Sequence, residues 1–316
     1  MPNNYDLPIP TVNGTAITVD WLRNDPRRIY RLLRTLVMQR LISWRLLTGR
    51  VDLTGTGFGI YEVTESIFAA LNGSVVRPLT QYGLVQTGDP TLATVKPDKV
   101  GLRSIISDED TAHNRIDKVV RDLVKIANTL VFQNDGLALA AIASGVTKTT
   151  PASNGAWNAD GTGTSGNPFL DVELAAASIE EENQGYDADM VAVTPTLFAY
   201  AISRAVILNY MPRESADNII RTGGNNVPIA GKTWVKTTNM PSGVNGIVLD
   251  STMLGSLAYE RLGGGYQGDP ADAQAGVESK RYREEEIDGV VVQARIVRAP
   301  MIQEPNSARI LTGVKN

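Results

Sequence analysis

The chain has no cysteine in its 316 residues and only one histidine. The first absence removes disulfides, thiolate metal sites and cysteine nucleophiles together. The second leaves His113 as the sole imidazole for a Ser-His-Asp arrangement, and too few nitrogen ligands for a histidine zinc site. No Gly-x-Ser-x-Gly nucleophile turn and no Gly-Lys-Ser/Thr phosphate loop occurs. A basic excess is missing as well: 30 Lys and Arg stand against 34 Asp and Glu, a formal charge of −4, which argues against a dedicated nucleic-acid binder. The most apolar run, residues 137–143, is far too short to span a bilayer. The amino terminus lacks a basic segment followed by an apolar run, so the sequence reads as a soluble protein made and used without export.

What is present is a globular composition, 42% hydrophobic and 20% charged, long enough for one large domain or two ordinary ones. Residues 1–20, with Pro2, Pro8, Pro10 and Gly14, read as an extended arm. Asp25 followed by Pro26 opens a helix in the preferred order, cap then proline at the first helical position, and the pattern predicts a helix to about residue 48 with Gly49 as its stop. Its apolar stripe is Ile29, Leu32, Leu33, Leu36, Val37 and Ile42. Eight arginines (Arg23, Arg27, Arg28, Arg31, Arg34, Arg40, Arg45, Arg50) lie within residues 23–50 against one acid, Asp25. That asymmetry has two readings of equal weight: arginines snorkelling around an apolar stripe, or a basic patch facing phosphate or an acidic partner.

Residues 51–106, punctuated by Gly73, Gly83, Gly88, Pro90 and Pro97, read as a long two-stranded projection with short runs at 81–85 and 99–106. Ser107, Asp108, Glu109 and Asp110 then form a capping pattern with acids at the positive end of a helix. The stripe Ile116, Val119, Val120, Leu123, Ala127, Leu130 and Val131, with Arg115, Lys118, Asp122 and Lys125 opposite, carries that helix to about residue 133, roughly 39 Å at 1.5 Å per residue. Residues 147–168 read as a loop. Helices are expected at 169–183 and 196–204, strands at 190–194, 227–237 and 247–249, and a helical turn at 251–259 before the glycine loop at Gly263, Gly264 and Gly265. The class is α+β.

Near the carboxyl terminus, Asp288 followed by Gly289 signals a hairpin turn. Beyond it Val290, Val292, Ala294 and Ile296 share one face of a half-buried strand. The arm before it, Arg281, Tyr282, Arg283, Glu284, Glu285 and Glu286, has no apolar face on either parity, so its partner is sought outside its own core. Chemistry is scarce elsewhere. The glycines at 55, 57 and 59 lack phosphate-loop spacing, the loop at 158–163 lacks the alternating acids of a calcium loop, and the acidic triplets at 180–182 and 284–286 read as solvated faces or partners for basic surfaces. No catalytic residue, metal ligand or cofactor site is expected.

The order of these features resembles the major capsid protein of tailed bacteriophages, the fold named after the Hong Kong 97 phage and shared with encapsulin shells. Four stretches carry the resemblance: residues 94–110, like the extended loop entering the spine helix; 188–198, like the strand and helix of the axial domain; 227–250, like its following strands; and 278–313, like the closing strands of the peripheral domain. The resemblance implies an arm and basic helix at 1–60, an extended β-loop at 61–106, a peripheral domain at 107–168 with 277–316, and an axial domain at 169–276. It implies a subunit that forms hexamers and pentamers of an icosahedral head around double-stranded DNA, located in the virion and assembled in the host cytoplasm. Expected partners are further copies of the chain, a separate scaffolding protein, a portal and a decoration protein, with no membrane. An encapsulin-type compartment holding a cargo enzyme is the alternative, and a soluble enzyme using His113 or the 180–182 cluster is the rival from another class. Arg23, Arg27, Arg28, Arg31 and Arg34 would then face scaffold or DNA on the inner surface. Arg77, Lys96, Lys99, Arg281, Arg283, Glu284, Glu285 and Glu286 would contact neighbouring subunits, where weak ion pairs act in large number. Some relatives cross-link a loop lysine to a neighbour's asparagine; here Ile287 and Asp288 stand where that asparagine is expected, so no such cross-link is predicted.

Overall fold

A computed structural model describes residues 19, 25–64, 66–69, 75–85, 91–159, 166–203, 227–229, 231–268 and 275–315. Of the expected arm at 1–20 only Val19 is described, and Arg23 lies outside the described residues. Helix α1 (Pro26–Arg40) opens as its sequence dictates, with the Asp25 carboxylate accepting the Arg27 N–H at 2.9 Å and Pro26 in the first turn. It ends eight residues short of the expected stop. The Asp135 carboxylate accepts the Ile42 and Ser43 N–H groups, at 3.1 and 2.8 Å, and turns the chain into a separate short helix, α2 (Ser43–Leu46). Strand β1 (Gly49–Asp52) follows, overlapping the start of the expected projection at 51 but pairing parallel with residues 256–259 instead.

Strands β2 (Gly59–Val63) and β3 (Thr91–Val95) pair antiparallel as a two-stranded ribbon of five residue pairs, shorter than the projection expected over 51–106, whose last run, 99–106, instead joins the main sheet by pairing with residues 290–297. Residues 81–85 form no strand. Strand β4 (Asp98–Ser107) runs into α3 (Asp108–Ala112), whose cap is the Ser107 hydroxyl accepting the Asp110 N–H at 3.1 Å. The helix expected to run through residue 113 breaks there, with Asn114 in the left-handed region at φ 49°, and resumes as α4 (Ile116–Gly145). At 30 residues, roughly 45 Å, α4 outlasts the expected end at 133 because Ala138, Leu139 and Ile142 bury a second apolar stretch.

The rest of the chain supplies β5 (Thr149–Pro151), α5 (Pro168–Glu180), β6 (Met190–Val193), α6 (Pro195–Ser203), β7 (Val227–Ile229), β8 (Lys232–Lys236), β9 (Gly246–Leu249), β10 (Gly255–Tyr259), β11 (Val277–Glu284), β12 (Gly289–Ile302) and β13 (Ala308–Thr312). Two of these correct the sequence reading. The 147–168 loop contains β5, recruited by parallel pairing with β13, and the expected helical turn at 251–259 is a turn followed by β10. Gly255 is locked between strands: a Cβ there would stand 2.0 Å from the Met301 carbonyl oxygen, so tertiary pairing with β12 overrides local propensity.

β12 organises the first sheet, in the order β1-β10-β12-β11 with β4 also paired to β12. Val292, Ala294 and Ile296 enter a core with Leu33, Leu36 and Val37 of α1 and Leu123, Ala127 and Leu130 of α4, which lie on that face of the sheet. The second sheet runs β5-β13-β9-β6-β8-β7. It is covered on both faces, which explains the unbroken apolar run of β6: Val191 and Val193 meet α5 and α6, while Met190 and Ala192 meet the far half of α4. One helix therefore serves two cores, and Gly136, with nothing within 4 Å of where a Cβ would sit, falls between its two buried stretches.

Candidate assembly surfaces

Three surfaces of the described residues carry features that the subunit's own core does not use. The first is the outer side of the α1–α4 layer. Arg27 and Arg31 are exposed, Arg28 pairs with Asp25 at 3.3 Å, and Arg34 is half-buried and engaged. Arg115 and Lys118 both reach Asp110, at 3.6 and 2.5 Å, and the Lys118 contact leads in holding the Asp110 carboxyl below its ordinary range. Arg121 and Lys125 are exposed on the same helix. Arg121 was missed as a surface cation, although its four-residue spacing to Lys125 was readable.

The second surface is apolar. Val75 and Leu79 are fully exposed and Tyr82 and Leu84 nearly so, in a segment whose Arg77 is exposed too. On the ribbon, Tyr61 and Val95 pack on Leu53, Ala258, Ala299 and Met301, while Ile60 and Leu92 point into solvent. Lys96 and Lys99 are exposed where the ribbon joins β4. β4 itself pairs along its whole length with β12, and among the described residues no strand pairs its other edge. Such an edge, flanked by the exposed Ile105, is a template for another chain.

The third surface is the hairpin. β11 pairs with β12 from Val277 to Glu284, and the turn is a single 3-10 turn (Glu285–Ile287) closed by Asp288 at φ 43°. The arm without an apolar face finds partners at home. Arg283 bonds Asp108 at 2.9 Å and Glu285 at 2.8 Å, which raises its pKa and keeps the guanidinium charged. Glu284 stands 3.7 Å from Arg103, and the Tyr282 hydroxyl accepts from Gln293. Glu286 is exposed and Arg281 half-buried.

His113 is an exposed helix-end residue, and Glu182 is tied to Lys148 and Arg309. Among the described residues no group of three or more His, Cys, Asp or Glu is placed to hold a metal. A cleft of about 440 Å³ lies where the end of α1, the middle of α4 and the end of β8 meet, lined by Arg40, Phe132, Asp135, Lys236 and Asn239 among others.

Two sheets of this topology, joined by one long helix and fringed by a ribbon, define a shell-forming fold of the Hong Kong 97 type. Solved structures agree. The chain matches the capsid of the cyanophage P-SCSP1u with a TM-score of 0.59 at 14% identity, over 87% of this chain and 89% of that one. Mycobacterium phage Che8 matches with a TM-score of 0.53 at 13% identity, over 87% and 92%. The holo-SrpI encapsulin of Synechococcus elongatus PCC 7942 matches with a TM-score of 0.55 at 13% identity, over 87% and 89%. A comparison with curated protein sequences gives no match. The family model described as phage capsid protein matches residues 91–310, and the chain belongs to that family, one of structural shell proteins.

Proposed function

We propose that the chain forms the hexamers and pentamers of an icosahedral phage head that encloses double-stranded DNA. The observation that carries this reading is the run of exposed apolar side chains at Val75, Leu79, Tyr82 and Leu84 in a member of a capsid family. An apolar surface of that kind is expected to be covered by a neighbouring copy. Arg77, Lys96, Lys99, Arg281, Arg283, Glu284, Glu285 and Glu286 lie on or beside the ribbon and hairpin and serve as inter-subunit contacts in this reading. Because Arg283 and Glu284 already have partners within the chain, their exchange between subunits is fine adjustment rather than the main attraction. The α1 arginines face the interior, meeting a scaffolding protein during assembly and DNA afterwards. Portal and decoration proteins complete the virion.

The second reading, a compartment around a cargo enzyme, is favoured by the similarity to an encapsulin at a TM-score within the range of the phage capsids. Electron microscopy of the expressed protein, alone and with a co-expressed scaffolding protein, tests both. Closed shells holding nuclease-protected DNA support the head. Shells holding a protein cargo and no DNA support the compartment. Subunits that never assemble under either condition overturn both.

A further inference from the structure

The turn between β11 and β12 carries three consecutive exposed residues, Glu286, Ile287 and Asp288, the isoleucine 44% exposed. The acids before them are held at home: Arg283 bonds Asp108 and Glu285, and Arg103 stands 3.7 Å from Glu284. Among the described residues no cation pairs with Glu286 or Asp288. The tip therefore presents acid, apolar and acid side chains outward. The cleft of about 440 Å³ beside α4 has the complementary chemistry. Arg40 and Lys236 line it, and Phe132 in its wall is 59% exposed. Its one acid, Asp135, is occupied by the Ile42 and Ser43 N–H groups. Both cations keep contacts within the subunit, Lys236 standing 4.9 Å from the centre of the Phe198 ring, so their places are set before anything enters.

The two features cannot meet within one chain. α4 and β12 run the same way: Asp122 accepts from Ser104, which pairs with Val292, and farther on Gly145 sits against Ile302. The turn ends at Gly289, three strand residues before Val292, whereas Phe132 comes ten helical residues after Asp122. These displacements, about 10 and 15 Å in opposite directions, leave tip and cleft roughly 25 Å apart. The Asp108 N–H donates to the Asp288 carbonyl at 3.1 Å and pins the turn at its own end of the sheet.

We propose that the Glu286–Asp288 tip of one copy docks in the Arg40 and Lys236 cleft of another. Its carboxylates meet the two cations and Ile287 rests on Phe132. The inference rests on the reading that copies of this chain assemble, and it names what the hairpin meets. The charges steer the approach and fix its register, while the apolar pair supplies burial at the centre of the contact. The other exposed acids in a run, Glu180 and Glu181, make a poorer occupant, because the adjacent Ile179 is fully buried. Tip and cleft are different surfaces, so the contact is heterologous, and its repetition builds a ring wherever the rotation closes.

The chain has no cysteine, so the full-length variant Phe132→Cys/Ile287→Cys tests the contact directly. Both side chains are exposed, and thermal melting confirms that the variant folds. After oxidation it should run in detergent without reductant as a ladder reaching trimers and beyond. A disulfide within one chain is excluded, since it needs Cα atoms within about 7 Å. Each single-cysteine variant should stay monomeric on the same gel, because neither tip nor cleft meets its like. In the two-cysteine protein Glu286→Lys should lower the ladder at least about threefold, and adding Lys236→Glu should restore it. Monomers alone from the two-cysteine protein, dimers from either single variant, or a ladder indifferent to both charge changes overturns the proposal. Shell formation is scored separately by electron microscopy. Shells without a ladder defeat the tip-to-cleft contact alone, while a ladder without shells supports the contact and defeats the shell reading.

Discussion

Asp135 and Ser43 meet at 2.8 Å, a buried carboxylate of α4 accepting the backbone N–H that opens α2. The same carboxylate takes the Ile42 N–H, and Asn134 beside it donates to the Ser43 hydroxyl at 3.0 Å. Asp135→Ala should strand two buried donors and cost about 2–4 kcal/mol in urea unfolding at neutral pH. Asp135→Asn, which keeps one acceptor oxygen, should lose about half of that. Burial is the leading influence on this group and raises its carboxyl above the ordinary range, with the Ser43 and Ile42 donors opposing. The folded state thus binds this proton more tightly than the unfolded state. Its ionisation subtracts stability as pH rises from the ordinary aspartate value of about 3.9 through the folded value.

Glu182 should give the opposite slope. Lys148, and after it Arg309, hold its carboxyl below the ordinary glutamate range. Its stabilisation is fully present above about pH 4.3 and lost as pH falls through the lower folded value. Thermal melts across acid pH should therefore be less steep for Glu182→Gln than for the unsubstituted chain, with a lower starting stability at neutral pH. An unchanged slope would mean that the contact with Lys148 and Arg309 is not maintained in solution.

Leu79→Asp separates folding from assembly. The side chain is fully exposed, so the subunit's melting should move by no more than about 0.5 kcal/mol in equivalent stability. Assembly should suffer if a neighbour covers it: size-exclusion chromatography should show unassembled subunits accumulating. Normal shell yield would remove the 75–85 segment from the interface.

Covalent joining is expected to be absent. Lys96 and Lys99 are exposed, but the hairpin turn presents Ile287 and Asp288. Shells denatured in detergent should run as a single 34.0 kDa band, and a ladder of multiples would contradict this.

Legibility in the sequence followed the range of the forces involved. The start of α1 was readable because Asp25 and Pro26 act on their own turn, and the cap of α3 because Ser107 reaches three residues on. The end of α1 was not, because its cause, Asp135, lies 93 residues away. β10 was misread as a helical turn for the same reason: Leu257 and Ala258 are extended by pairing with Pro300 and Ala299 of β12 and with Arg50 and Val51 of β1, all far from them in the chain. The charged arm of β11 was legible as lacking an apolar face. The Asp108 that neutralises part of it was not, being 175 residues distant. Among candidate surface residues, the α1 arginines stood out by composition.

The helix that serves both sheets also spans the two packed bodies. Its first half is fastened to the β12 sheet and its second to the β6 sheet, and the turn between them carries Asn134 and Asp135, both buried and bonded to the start of α2. A bend of about ten degrees at that point would swing the far end of either half by only about 3–4 Å, given arms of roughly 20 Å. Displacements of that size leave each core intact and concentrate the change in one turn. Such a bend would alter the angle a subunit offers its neighbours while both packed bodies stay unchanged.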